Sequence, residues 1–210
     1  MNETRNKRVR GLVRKLNRAR RDQLKQIDIL CNDMVSAHGD FVKQLRELTF
    51  SVKFYEVALS QTDLTSLLDT SVDMIKSQIH GSSVAIFLLR DNVFDIHMVD
   101  SDSPIDVAQA DLESYFTADV VRDISRSPHV CSLNDMCTAG LQASPTVLGS
   151  VSAAAVPIGR VGEPAGFILI YRLRENKLHP SEIETVTAIT EGLCSAIQKW
   201  QRVKTVVASK

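Results

Sequence analysis

Apolar residues recur every seven positions along the first third of the chain, in two sets that lie three residues apart. Such alternation of three and four keeps one stripe on the same side of a helix, and over residues 24–59 it persists for about five heptads. At about 1.5 Å per residue this stretch forms a rod of roughly 54 Å, longer than a small domain can cover. We therefore expect a parallel homodimer, with a seam made of Leu24, Ile27, Cys31, Met34, His38, Phe41, Leu45, Leu48, Val52 and Tyr55.

The spacing of apolar residues changes several times after residue 60. Apolar residues three and four apart predict helices, whereas alternating or continuous apolar runs predict strands. A terminal helix starts either at Pro180 or at a Ser181-x-x-Glu184 capping box. The elements predicted before it are a helix over 64–79, a hairpin of strands 83–90 and 93–99, a helix near 111–126, a short strand over 129–133, and a second hairpin of strands 151–158 and 166–171.

Five short motifs occur in the order in which one known family has them. They are Asp63-Leu-Thr-Ser-Leu-Leu-Asp69, Gly81-Ser-Ser-Val-Ala-Ile-Phe-Leu-Leu-Arg-Asp91, Gly149-Ser-Val-Ser-Ala-Ala-Ala-Val-Pro-Ile158, Gly166-Phe-Ile-Leu-Ile170 and Leu178-His-Pro-Ser-Glu182. In these motifs residues 60–200 resemble the GAF family, and the whole chain resembles small stand-alone GAF proteins with a helical N-terminus. The resemblance implies an α+β fold, in which an antiparallel sheet of five or six strands is flanked by helices and preceded by a long coiled-coil helix.

The resemblance divides the chain into a basic, coiled-coil dimerisation helix over 1–59 and a GAF-like domain over 60–206. It implies that the first and last helices cover one face of the sheet and that a ligand pocket lies on the other. Family members bind cyclic nucleotides, tetrapyrroles, haem, metabolites or nothing. The Asn-Lys-Phe-Asp-Glu signature of the cyclic-nucleotide members is absent, and no cysteine resembles the chromophore-linking cysteine of phytochromes. We therefore assign no cofactor.

The connection over 134–149 contains glycine and proline but little apolar periodicity, which predicts an irregular loop. Loops of this length often have a function. Small residues on the strand that follows form either the floor of a pocket or a surface for close helix packing. We expect a cavity of about 300 Å³ or more here. The candidates for its lining are Tyr115 and Phe116 on the preceding helix, Cys131, and Ser150, Ser152 and Ala154 on the strand.

The composition, with 44% hydrophobic and 24% charged residues, is that of a soluble globular protein. The start of the chain is polar, and the four cysteines form no CxxC pair. The strongest apolar runs, Val84–Leu89 and Phe167–Tyr171, are far shorter than the roughly 20 residues that span a bilayer. We expect a cytoplasmic protein without membrane contact.

Positive charge is concentrated near the N-terminus although the formal net charge is zero. Ten Lys and Arg residues lie between positions 5 and 25, and only Asp22 opposes them there. The segment is either a solvated helix face or a contact site for a protein partner. No helix-turn-helix or zinc-finger spacing points to nucleic acid, so we do not expect it as a partner.

Cys131 and Cys137 flank the start of the long connection, and a small branch of the GAF family reduces free methionine sulfoxide with loop cysteines. A reactive thiolate needs a neighbouring cation or a helix N-terminus, and His129 is the one nearby candidate in the sequence. The surrounding residues depart from the pattern of that branch. The five histidines form no HxxxH or HxH spacing. We predict no catalytic residue, no metal ligand and no enzymatic activity.

Three hypotheses follow for the function. In the first, the chain is a regulatory sensor in which a ligand in the pocket shifts the relative pose of the terminal helices, by changing the populations of two states. In the second, it is a structural dimerisation adaptor whose pocket is filled by side chains. In the third, the loop cysteines make it a thiol-based redox enzyme or sensor. If side chains fill the pocket face of the sheet and leave no cavity, the adaptor hypothesis is favoured over the sensor hypothesis.

Overall fold

The computed structural model of the chain describes residues 2–90, 93–98, 109–160 and 163–208. Compact packing divides the chain into two units, Met1–Leu48 and Thr49–Lys210. Within the described ranges the elements are α1 (Asn2–Ser60), α2 (Leu64–Gln78), β1 (Ser83–Arg90), β2 (Val93–Met98), α3 (Gln109–Tyr115), α4 (Ala118–Arg126), β3 (Cys131–Ser132), α5 (Leu133–Thr138), α6 (Pro145–Ser150), β4 (Val151–Arg160), β5 (Glu163–Leu173) and α7 (Pro180–Ala208).

The second unit is built on an antiparallel sheet whose described strands have the order β2-β1-β5-β4-β3. Strand β1 is buried on both faces, with Val84 and Ile86 on one side and Ala85 and Phe87 on the other. This is typical of an interior strand, since alternate side chains point to opposite faces. Both predicted hairpins and the α+β fold class are confirmed, and strands β4 and β5 are longer than predicted.

One face of the sheet is covered by α2, α7 and the last turns of α1, as the family resemblance implied. Phe54 of α1, Val72 of α2 and Leu193 of α7 are at most 1% exposed, and they share a core with Ile168 and Ile170 of β5. Full burial of apolar side chains of this size contributes about 1.5–3 kcal/mol each. The opposite face is covered by α3, α4 and α5, which form a second core.

The last turns of α1 have two apolar sides. Phe50, Phe54 and Ala58 are buried in the core of the second unit, which therefore begins at Thr49, whereas the sequence placed the boundary after residue 59. In the same turns Val52 is 57% exposed and Leu59 is 75% exposed. This part of α1 thus anchors the helix in the domain and leaves an apolar side uncovered in the single chain.

Tyr55, which the heptad spacing placed in the seam, packs on α7 of the same chain. Its ring lies so close to Gly192 that a Cβ atom there would be 1.6 Å from the Tyr55 Cε1 atom. The hydroxyl of Tyr55 donates a hydrogen bond to the Ala188 carbonyl oxygen at 3.3 Å. Glycine permits this approach because it has no side chain. Tyr55 therefore joins α1 to α7 within the second unit.

The prediction of one continuous helix over 111–126 is wrong. The structure has two helices there, because α3 ends at Tyr115 and α4 begins at Ala118. Phe116 turns into the core at 5% exposure, and Thr117 starts α4 as its N-cap. The Thr117 hydroxyl oxygen accepts a hydrogen bond from the Val120 backbone N–H at 3.3 Å. An N-cap threonine satisfies a backbone donor that the first turn of a helix leaves free, so a new helix starts there.

We predicted an irregular loop over 134–149, but the structure has helices α5 and α6 in this part of the chain. Ser132 and Asp135 form a reciprocal capping box at the start of α5. Ser144 caps α6, with Pro145 at its first position. Both arrangements are recognised start signals for helices. The two helices have six residues each, too few to produce an apolar periodicity that can be read from the sequence.

Helix α7 begins at Pro180, which confirms the first of its two predicted starts. The Glu182 carboxylate accepts a hydrogen bond from the His179 backbone N–H at 2.8 Å and pairs with the Arg172 guanidinium of β5 at 2.6 Å. Burial of the carboxylate raises the pKa of Glu182, but the His179 N–H and Arg172 outweigh it and hold the pKa below its usual 4.5. The pair fixes the start of α7 against the sheet.

Candidate functional site

A small apolar cavity lies on the sheet face opposite α7, where the pocket was expected. Its volume is about 50 Å³, and its lining includes Tyr115, Phe116, Met136, Leu141, Ala153 and Leu169. The connection between α5 and α6 closes one side. The backbone hydrogen bonds that hold this connection include those from Gln142 N to the Tyr115 oxygen at 2.9 Å and from Leu141 N to the Met136 oxygen at 3.0 Å.

Aromatic rings fill most of the space beside this cavity. Phe87 of β1 and Phe167 of β5 stack with ring centroids 4.4 Å apart and an interplanar angle of 12°. Phe116 packs against both, with centroids 4.7 Å from Phe87 and 5.8 Å from Phe167. Phe94 of β2 closes the group at 5.9 Å from Phe87. Aromatic pairs of this geometry contribute about 0.5–1.5 kcal/mol beyond the area they bury, so the cluster is a firm part of the core.

The expected volume of about 300 Å³ or more is therefore wrong. About 50 Å³ holds one or two water molecules and is well below the roughly 150 Å³ of an engineered apolar cavity that binds benzene. The physical reason is the Phe116 ring, which fills the site instead of covering an open pocket as a lid. A metabolite can enter only if α6 or the connection before it moves.

The small residues of β4 fall on both faces of the sheet. Ala154 pairs with Ile170 and Ser152 with Arg172, so these residues face α7 and not the cavity. The Ser152 hydroxyl oxygen accepts a hydrogen bond from the Leu178 backbone N–H at 3.3 Å, just before α7. On this side the small residues accept close helix packing, whereas Ala153 on the other side lines the cavity. The exposed Ser150 ends α6 and does not line the cavity.

The residues considered for redox or metal chemistry lie apart from the cavity. Cys131 is half-buried, with its Sγ atom 3.7 Å from the His129 carbonyl oxygen, and Cys137 is exposed. His97 lies 2.9 Å from the Asp69 carboxylate, a contact between β2 and α2. Among the described residues, no group of three histidine, cysteine, aspartate or glutamate side chains is arranged to hold a metal ion.

A larger groove of about 750 Å³ lies at the edge of the sheet, where no sequence pattern pointed to a site. It is bounded by residues 125–130, by part of β4 and by two threonines of α7. The hydroxyls of Ser125, Thr187 and Thr190 face it, but each donates to a carbonyl oxygen of its own helix. These three hydroxyls are therefore engaged within their own helices, and the groove is also lined by the exposed residues Arg126 and His129.

Helix α1 presents the most extensive apolar surface of the described residues. In the first unit Leu24, Ile27, Met34, Phe41, Leu45 and Leu48 are each 51–71% exposed, and Cys31 and His38 between them are exposed as well. Isolated apolar residues are normal on a surface, but a contiguous stripe marks an interaction site. All the predicted seam residues in this unit are thus exposed on the surface of the single chain.

None of the helices within the described residues combines the length and hydrophobicity that crossing a membrane requires. No family model matches the sequence, and no curated protein matches it either. Solved structures do match the fold. The GAF domain of a phosphoenolpyruvate-protein phosphotransferase from Coxiella burnetii superposes with a TM-score of 0.58 at 12% identity, over 77% of this chain and 98% of that chain.

Two further structures give the same result. The GAF domain of a putative sensor histidine kinase from Pseudomonas syringae has a TM-score of 0.53 at 10% identity, over 83% of this chain and 99% of that chain. The chromophore-binding domain of a Stigmatella aurantiaca phytochrome has a TM-score of 0.51 at 12% identity, over 72% of this chain and 59% of that chain. At such identities the likeness concerns the fold alone, and together with the strand order it establishes that this chain has a GAF-like fold.

Proposed function

We propose that this chain is a dimeric regulatory module of the cytoplasm, in which helix α1 pairs with a second copy and the GAF-like domain has no catalytic activity. The observation that carries the proposal is the exposed heptad stripe of α1. Six large apolar side chains of the first unit lie on it at more than half exposure, from Leu24 to Leu48. Heptad spacing of such residues is the pattern of a helix that buries its seam against a partner helix.

The contact of Tyr55 with α7 supports a regulatory role. Tyr55 lies seven residues after Leu48 in the heptad pattern, and its ring and hydroxyl contact Gly192 and Ala188 of α7. A change in the pairing of α1 would therefore act on the terminal helix through this contact. We propose that the module communicates between its two terminal helices, with a partner protein at one of them as the signal or the target.

Light scattering tests the dimer. At micromolar concentration the full chain should have twice its 23.3 kDa, whereas a fragment of residues 49–210 should be a monomer. The cut at Leu48 preserves Phe50 and Phe54, which the domain needs in its core. In a parallel dimer the two copies of Cys31 face each other, so mild oxidation should link them. The proposal would be contradicted if the full chain were a monomer, or if the fragment of residues 49–210 dimerised as well as the full chain.

A second candidate function is the sensing of a small apolar ligand at the cavity. The observation that favours it is the apolar wall, which includes short helix α6 and a connection with, among the described residues, only one backbone hydrogen bond to an element other than α5 or α6, from Gln142 N to the Tyr115 oxygen. Regions with few such bonds open at low cost. Native mass spectrometry of the protein purified from its own host should then reveal a retained molecule, and a protein without one supports the adaptor.

Two neighbouring alanines of β4 distinguish the two faces of the sheet. Ala153→Val adds two carbon atoms towards the cavity, and we expect it to raise the free energy of unfolding by about 1–1.5 kcal/mol. Ala154→Val is the matched control, because Ala154 is 3% exposed on the α7 side, and overpacking there should cost about 1–3 kcal/mol. Urea denaturation measures both. Equal effects would show that the cavity is not open to the Ala153 side chain.

A further inference from the structure

Residues 7–21 of α1, which we call the basic segment, have a composition unlike the rest of the chain. They carry no acidic residue, and their side chains are all exposed. Since the whole chain has a net charge of zero, a segment with eight positive charges leaves a net charge of −8 on the remainder (0 − 8). The eight charges belong to Lys7, Arg8, Arg10, Arg14, Lys15, Arg18, Arg20 and Arg21.

The basic segment is also amphipathic. Val9, Leu12, Val13 and Leu16 follow the i, i+3, i+4, i+7 spacing that places them on one side of a helix. They are 51%, 66%, 50% and 70% exposed. At 3.6 residues per turn, Arg14 and Arg18 lie on the opposite side. A short apolar stripe is thus surrounded by positive charge.

This stripe does not continue the dimer seam. Extending the heptad pattern from Ile27 and Leu24 towards the N-terminus gives Arg20 and Asn17, and the next steps give Val13 and Arg10. Three of these four positions are polar, so the heptad seam breaks in this segment, and of the stripe only Val13 lies on its extension. Like charges at i and i+4, such as Arg10 with Arg14 and Arg14 with Arg18, also repel within the helix. An anionic partner would relieve that repulsion.

We propose that the basic segment binds the surface of a membrane that contains anionic lipids, with the helix in the plane of the interface. The four apolar side chains would enter the headgroup region, and the Lys and Arg side chains, flexible and long, would reach lipid phosphates around it. A charged surface attracts every cation within a Debye length of about 8–10 Å, close to the diameter of a helix. The cations that flank the stripe, such as Arg8 and Arg10, lie nearest to this surface and therefore contribute most.

Other anionic partners fit the segment less well. The phosphates of nucleic acid would attract the cations but would leave the four apolar side chains in water. An acidic protein groove would have to combine an apolar floor with negative charge along both of its sides, whereas an anionic lipid surface presents an apolar interior and phosphates together. The expectation of no membrane contact came from the zero net charge of the whole chain and from the length of the apolar runs. The first does not describe a local basic segment, and the second concerns helices that span a bilayer and not helices that lie on it.

Co-sedimentation of the full chain with vesicles tests this proposal. Vesicles of phosphatidylcholine with about 30% phosphatidylserine should bind the protein at least tenfold more tightly than phosphatidylcholine alone, and raising the salt from about 0.1 to 0.5 M should weaken the binding at least tenfold. Equal binding to both vesicle types, or none, would overturn the proposal.

Variants of the basic segment test which side chains bind the vesicles and whether the anionic partner is lipid or nucleic acid. Leu12→Ser with Leu16→Ser, and separately Arg8→Gln with Arg10→Gln, should each reduce binding to the anionic vesicles at least fivefold. Leu30→Ser is the matched control, since Leu30 is 66% exposed on α1 but outside the basic segment and the seam, and it should not change binding. Binding that survives the leucine changes, with equal affinity for a short DNA duplex, would identify a nucleic-acid site instead.

Discussion

Replacing Phe41 and Leu48 by aspartate should turn the dimer into a monomer without unfolding the second unit. The two side chains are each 61% exposed in the single chain, so the substitutions cost its own fold little. In the dimer they remove four apolar side chains, at about 1.5–3 kcal/mol each, or about 6–12 kcal/mol together. A nanomolar dimer has a free energy of association of about 12 kcal/mol, so the loss is decisive at micromolar concentration. Light scattering measures the mass.

Asn32→Asp with Ser36→Asp is the control for this experiment. Both residues are exposed on α1 and lie outside the seam, and the control adds the same two negative charges as the Phe41 and Leu48 variant. The control should remain a dimer with unchanged helix content by circular dichroism. If the Phe41 and Leu48 variant also remained a dimer, the seam would not be the interface, and the terminal helix near Trp200 would be the next surface to test.

The parts of the fold that the sequence predicted are those with a long or regular pattern. The seam helix and the hairpin formed by β1 and β2 follow from periodicity, because each places many residues on one side. Helices α5 and α6 were missed since a six-residue helix makes less than two turns. Their start signals, Ser132 with Asp135 and Ser144 with Pro145, were nevertheless present in the sequence.

The candidate site was harder to predict because it depends on contacts between distant residues. Phe87, Phe116 and Phe167 meet only after the sheet has formed, and their rings fill the space in which a pocket was expected. Tyr55 has a seam spacing, but Gly192 on α7 offers it a closer partner within the chain. In both cases the sequence shows which residues are apolar, but their contact partners depend on the tertiary packing.

Glu182→Gln should destabilise the domain more than any other single removal of a surface charge on α7. Arg172 is 7% exposed and pairs with Glu182 through both of its terminal nitrogen atoms, at 2.6 and 3.1 Å. Removing one partner of a buried pair costs about 3–5 kcal/mol, and because Glu182 is 23% exposed we expect about 2–3 kcal/mol at neutral pH. Glu191→Gln, an exposed residue of the same helix, should change stability by less than about 0.5 kcal/mol.

The pH dependence and a double variant identify the pair as the cause of the loss at Glu182. Because the pKa of Glu182 is lower in the folded state than its usual 4.5, the unfolded chain binds the proton more readily, so the stabilisation is present above pH 4.5 and is lost as the pH falls through the folded pKa. The difference between the natural chain and Glu182→Gln should therefore shrink in acid. Adding Arg172→Met removes the uncompensated charge, so the double variant should be at least about 1 kcal/mol more stable than Glu182→Gln alone. Urea denaturation at fixed protein concentration measures the natural chain, both single variants and the double variant, and strictly additive effects would show that Arg172 and Glu182 act independently.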